Sequence, residues 1–214
     1  MFRKISIAVV ALAALSTASY GAGCQGQKGS VIFEDTFSDD TGGWAQPIDG
    51  VVPEYGPEPK VHLKAPNSGY VWYNNTFNAS EGDYCIEFVW PKPLAPDKKA
   101  YVALAFWASD YANLYLVQVD SGGGINLWRK SGGTWATIGD LSNPKVKPVP
   151  GSLVTLRVVA KGNLIVPILD GVELKKTRAQ MPAGNLKFGL FIQDDTAVPD
   201  AVFEIKRFKV TSGG

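Results

Sequence analysis

The chain has 214 residues, of which 19% are charged, with 21 basic and 20 acidic residues and a formal net charge of +1. This balance carries no basic stripe: Arg129-Lys130 and Lys175-Lys176 are isolated pairs, which argues against nucleic acid or an anionic membrane surface as partner. A single histidine, His62, supports no zinc site of the usual ligand count.

Residues 1–22 read as a secretory signal peptide. Arg3 and Lys4 form a positive start, and Ile5 to Leu15 form an apolar run too short to span a bilayer. Small residues at Ser16, Ala18, Ser19, Gly21 and Ala22 offer cleavage points, so a secreted or periplasmic location is expected. Lipidation of Cys24 would normally require a bulky aliphatic residue at position 21, which is Gly21 here. With lipidation set aside, Cys24 and Cys85 are the only two cysteines of an exported chain, and one disulfide between them is expected. Without Arg3 and Lys4 the net charge is about −1. Residues 23–214 then suffice for one all-β domain with a sizeable core.

The mature part is built of short runs rich in Val, Ile, Phe, Tyr and Trp, punctuated by Gly, Pro, Asn and Asp. VIFEDTF alternates from Val31, and SDDTGG after it reads as a turn. Gln46 to Ser68 is proline-rich and predicts a wrap over the sheets with one short strand near Lys60 to Lys64. In DYCIEFVW, Tyr84, Ile86, Phe88 and Trp90 share one face, opposite Cys85, Glu87 and Val89. AYVALAFWA is apolar on both faces and predicts a central strand covered on both sides. A tight turn at Ser109-Asp110 leads to NLYLVQVD.

Glycine clusters at 122–124 and 132–133 then predict consecutive hairpins. SGGG at 121–124 is no phosphate loop, since no helix and no Gly-Lys-Ser/Thr follow. Asp170-Gly171 is the strongest hairpin signal in the chain. In AVFEIKRFKV the apolar parity switches between Ile205 and Phe208, which predicts a bulge near Lys206-Arg207. Roughly ten or more antiparallel strands in one domain predict a two-sheet sandwich.

FEDTFSDDTGGW, YLVQVDSGGGINLWRKSGGTW, LRVVAKGNLIVPILDGVEL and KFGLFIQDDTAVPDAVFEIKRFKV together resemble the concanavalin A-like, laminin-G-like jelly-roll domains of exported bacterial proteins. The resemblance implies an all-β, two-sheet antiparallel jelly roll with one concave face, often used to bind glycans. The superfamily also includes family 16 glycoside hydrolases and domains of the 3-keto-disaccharide hydrolase type.

No catalytic set is recognisable. Glu81 and Glu87 lie about 20 Å apart on an extended strand, whereas retaining glycosidases hold their carboxyls roughly 5 Å apart. Between Asp83 and Glu87 stands Cys85. No G-x-S-x-G elbow accompanies His62. Binding requires less: an aromatic platform and a few polar groups. Trp128 and Trp135 flank the hairpin at Gly132-Gly133, with Arg129 near-opposite Trp135, and Trp72 sits among tyrosines and asparagines. Trp72, Trp128, Arg129 and Trp135 are therefore the candidate ligand contacts, and a glycan or cell-envelope polysaccharide is the expected partner. Asp35, Asp39 and Asp40, with Asp194 or Asp195, are candidate donors for a structural calcium ion, or else turn acids that cap backbone N–H groups. Asp35 shares parity with Phe33 and Phe37, and an acid facing a core needs a partner. No other cofactor is implied. The reading is an exported lectin-like domain, with a glycosidase-like enzyme and a structural or protein-interaction domain as alternatives.

Overall fold

A computed structural model describes residues 23–45, 51–63, 69–89, 99–149, 151–194 and 201–213. The signal-like segment 1–22 and Trp90 lie outside the described residues. Among the latter, a short 3-10 turn (Gly23–Gly26) precedes β1 (Val31–Asp35), β2 (Val51–Glu54), β3 (Lys60–Leu63), β4 (Gly69–Tyr73) and β5 (Gly82–Val89). Then come β6 (Ala100–Asp110), β7 (Asn113–Asp120), β8 (Ile125–Ser131), β9 (Thr134–Asp140) and β10 (Val154–Lys161). β11 (Leu164–Leu169), β12 (Val172–Glu173), β13 (Thr177–Arg178), β14 (Lys187–Asp194) and β15 (Ala201–Thr211) complete the chain. The proline-rich stretch thus supplies two strands, β2 and β3, where the sequence suggested one. The turn after β6 is Tyr111-Ala112 rather than Ser109-Asp110, because Asp110 still pairs with Asn113.

The strands form two antiparallel sheets. One runs β12-β11-β10-β5-β15-β3-β2, with β1 also on β15 and β13 also on β11; the other runs β4-β14-β6-β7-β8-β9. Period-two alternation makes this a sandwich: Tyr84, Ile86 and Phe88 of β5 meet Phe106, Phe188 and Leu190 in one core between the sheets. Phe203, Ile205, Phe208 and Val210 of β15 join them. This is possible because the register slips between Ile205 and Arg207, at the bulge the parity switch predicts. Each fully buried Phe here stabilises the fold by roughly 2–3 kcal/mol.

A disulfide joins Cys24 to Cys85. It fastens the 3-10 turn onto β5, where Glu87 Oε1 accepts a hydrogen bond from Cys24 N at 2.7 Å. The sulfur that lipidation would need is thereby engaged. Charged side chains cover the outer face of this sheet: Arg157 pairs with Asp83, Arg207 with Glu34 and Glu87, and Lys209 with Glu34. No helix among the described residues is long and apolar enough to cross a membrane.

The opening acids fold locally. Asp35 Oδ1 accepts from Phe37 N at 2.6 Å, and Oδ2 accepts from Trp44 Nε1 at 2.7 Å. The inward-facing acid therefore finds its partner in the tryptophan nine residues on. Trp44 in turn packs on Phe37, Trp72 and Phe208.

Candidate functional site

The outer face of the six-stranded sheet is not the polar surface that an alternating strand usually shows to water. Alternation sends Tyr101, Ala103 and Ala105 of β6 outward, with Leu114, Leu116 and Gln118 of β7 and Phe191 and Gln193 of β14. Most of these form a second apolar cluster with Tyr73 and Trp128. Cross-strand register arranges them in rows. One row is Tyr73, Gly189, Ala105, Leu116 and Trp128. The next is Phe191, Ala103, Gln118 and Asn126. Small residues in the middle and large ones at the sides make a trough along β6. Gly189 is required there: a Cβ would lie 2.2 Å from the Trp72 carbonyl oxygen and 2.9 Å from Tyr73 Cα.

β6 does not alternate to its end. Trp107 has φ of +49° and both Phe106 and Trp107 enter the core, with a register slip between Phe106 and Asp110. Positive φ is uncommon for so bulky a residue. Here it is held by a hydrogen bond from Trp107 Nε1 to Ser80 O at 2.6 Å and by an edge contact with Tyr115. The bulge returns Ala108 to the outer face.

β8 and β9 form the trough's wall and roof. Gly132 and Gly133, with φ of +55° and +84°, turn the hairpin. A bulge at Ile138, the extra residue of β9 opposite Leu127 and Trp128, bends β9 against β8. Trp135 thereby reaches back over the sheet, and its ring meets Phe191 edge-on with centroids 6.4 Å apart. The result is a cleft of about 380 Å³ lined by Tyr101, Leu116, Gln118, Trp128, Trp135, Phe191 and Gln193. Three aromatic side chains, two amides, a phenol and a leucine line it, with no carboxylate. Trp128 Nε1 is buried in this wall without a hydrogen-bond partner. Such an orphaned donor costs roughly 1–3 kcal/mol.

The candidate residues separate here. Trp128 and Trp135 line the cleft together. Trp135 lies opposite Lys130, whose Nζ stands 5.2 Å from its ring centroid; Arg129 is one place off, opposite Ala136, because the two-residue Gly132-Gly133 turn pairs Ser131 with Thr134 and so sets the register. Arg129 lies on the face of β8 opposite Trp128 and Lys130, beside its cross-strand partner Tyr115, whose ring centroid is 5.8 Å away. Trp72 is not a ligand contact. It is 1% exposed, stacks with Phe37 and Trp44, and donates from Nε1 to Ala45 O at 2.8 Å, so neither ring face is left for a sugar. Of the cleft's other five residues none stood out in the sequence. Their signal was weak: Tyr101 shares parity with the small Ala103 and Ala105, which leaves space on that face.

Asp35, Asp39 and Asp40 do not assemble a donor set. Asp35 is engaged by Phe37 and Trp44, and Asp39 accepts from Thr41 N and Oγ1, which holds its carboxyl below the usual carboxylate range. Asp40 is exposed. Among the described residues no three His, Cys, Asp or Glu side chains converge in a way that would hold a metal ion. Asp195 and the side chain of Asp194 lie outside the described residues.

No protein-family model matches this sequence, and no curated protein matches it. Solved structures do. The carbohydrate-binding module CBM66 from Bacillus subtilis superposes with a TM-score of 0.55 at 16% identity, covering 86% of this chain and 98% of that one. The β-glucanase of Bacillus licheniformis gives 0.61 at 11% identity, over 86% and 99% of the two chains. The carbohydrate recognition domain of Emp47p gives 0.58 at 14%, over 91% and 100%. At these identities the likeness shows the fold alone: the chain shares the two-sheet antiparallel jelly-roll sandwich of these structures.

Proposed function

We propose that this chain is an exported, non-catalytic glycan-binding domain whose ligand lies in the cleft over β6 and β7. The observation that carries the reading is the cleft's composition. Trp135 and Phe191 present rings on which the C–H face of a sugar can stack. Gln118 and Gln193 place amides, each both donor and acceptor, in the same cleft to meet hydroxyls. Trp128 Nε1, buried without a partner in the cleft wall, is a further donor for a sugar oxygen. The neighbours that are a carbohydrate-binding module and a carbohydrate recognition domain support this reading. The disulfide supports export, since such bonds persist in oxidising compartments.

The likeness to a β-glucanase favours a second, glycosidase-like reading. Retaining hydrolysis uses two carboxyls about 5 Å apart on either side of the scissile bond, and the residues lining this cleft include neither Asp nor Glu. That composition favours binding. The test is a glycan array probed with residues 23–214 and with its Trp135→Ala and Gln118→Leu variants. Binding that drops about tenfold in either variant is expected. An empty array, or binding indifferent to both substitutions, overturns the proposal; release of reducing sugar from a bound glycan would establish the hydrolase instead.

A further inference from the structure

A second pocket, of about 370 Å³, adjoins the cleft where β7 begins and β8 ends. Leu114 and Lys130 line it, one same-face step along their strands from Leu116 and Trp128, so it continues the trough beyond the aromatic cleft. Its walls are polar: Ser109, Asn113, Ser131 and Gln180 line it together with Arg129.

Two cations stand here without an ion-pair partner among the described residues. Arg129 rests against the ring of Tyr115, which is itself fixed by a hydrogen bond from its hydroxyl to Gln180 O at 3.1 Å. Lys130 rests against Trp135. On the opposite sheet the comparable bases, Arg157, Arg207 and Lys209, are all paired with carboxylates. The acid at this end is Asp110. Its carboxylate is taken up by Ala112 N at 2.7 Å and by Asn113 Nδ2 at 3.0 Å, and these bonds, Asn113 first, hold it below the usual carboxylate range. The pocket lining thus holds two bases and no acid, and Asp110, next to Ser109 in the chain, is already satisfied. A guanidinium resting on an aromatic ring also keeps its N–H edge directed at an acceptor.

We propose that this pocket receives an acidic substituent, the carboxylate of a uronic acid or a sulfate ester, of the glycan whose neighbouring ring occupies the aromatic cleft. The inference rests on the glycan-binding reading and narrows it from glycans at large to acidic ones. Arg129 would make the directional contact, because its fork matches a carboxylate or sulfate, and Lys130 would add charge beside Trp135.

The test is an array printed with neutral, uronate-containing and sulfated oligosaccharides, followed by titration of the strongest acidic hit against its methyl-esterified or desulfated form. Hits confined to acidic glycans are expected, with at least about tenfold loss when the acid is masked. Arg129→Gln with Lys130→Gln should erase that difference and the accompanying loss of affinity in high salt. Both residues lie at the surface, so an unchanged far-UV spectrum and melting temperature should show the variant folded. Uronate hits and sulfate hits identify which acid is taken. Neutral hits alone, or an acid preference that survives the double substitution, overturn this inference and leave glycan binding standing. An array without hits overturns both.

Discussion

Trp135 on β9 and Phe191 on β14 touch edge to face, with ring centroids 6.4 Å apart, although β6, β7 and β8 lie between their strands. In a flat sheet four strand spacings would separate them by about 19 Å. The contact therefore measures how far this sheet curls and how far the β8–β9 hairpin folds back over it. Curling makes the outer face concave, and the two rings bridge the trough as a roof.

The two tryptophans that the sequence offered equally should respond oppositely to truncation. Trp135 is 39% exposed, so Trp135→Ala should change the unfolding free energy by less than about 1 kcal/mol. Trp72 is enclosed and hydrogen-bonded, so Trp72→Ala should cost about 4 kcal/mol. Urea denaturation of both variants checks this; equal losses would contradict the placement of either ring.

Reducing the disulfide frees a loop closed over a sequence separation of 61 residues. The chain-entropy relation makes that worth about 4 kcal/mol of stability. Denaturation of Cys24→Ser/Cys85→Ser, compared with the oxidised protein, should show this loss as a lower midpoint. A change below about 1 kcal/mol would mean that the 3-10 turn holds to β5 without the bond.

Asp83 is nearly enclosed, and Arg157 on β10 holds its carboxylate across the sheet. Asp83→Asn leaves the guanidinium without its counter-charge and should destabilise the fold by about 3 kcal/mol. Replacing both residues, as Asp83→Leu with Arg157→Met, should recover most of the loss. Thermal melts of the single and double variants measure the difference.

Burial raises the ionisation of two tyrosines, Tyr73 and Tyr84, well above the usual phenol value of 10.0. Tyr84 donates its hydroxyl to Ala79 O at 2.8 Å, and the charges of Asp110 and Glu81 add to the shifts at Tyr73 and Tyr84 respectively. Above pH 10 the unfolded chain loses these protons while the folded chain keeps them. Stability is therefore fully present below that pH and falls as pH rises past it, by up to about 1.4 kcal/mol per pH unit for each tyrosine. Denaturation midpoints between neutral and strongly alkaline pH should show this slope, and Tyr84→Phe should reduce it. An alkaline slope unchanged in Tyr84→Phe would place the titrating group elsewhere.

What the sequence determined by itself was local. Alternation in Tyr84, Ile86 and Phe88 marked a core-facing strand, the parity switch after Ile205 marked a bulge, and Asp170-Gly171 marked a turn. Each follows from backbone geometry within a few residues, and together they imply a sandwich. The two cysteines of a chain read as exported implied their own pairing for a similarly simple reason.

Tertiary structure decided what the tryptophans and acids do. Strict alternation along AYVALAFWA would leave Trp107 outside with Ala105, but the bulge carries it into the core because Ser80 O and the Tyr115 ring are there to receive it. The same alternation showed β6 apolar on both faces without showing that its outer alanines floor a trough. That depends on large side chains from β4, β7, β8 and β14, brought level by register. Asp35 found its partner in Trp44 only because the turn between them closes. Trp135 faces Phe191 only because the sheet curls, a property of six strands together that no single strand encodes.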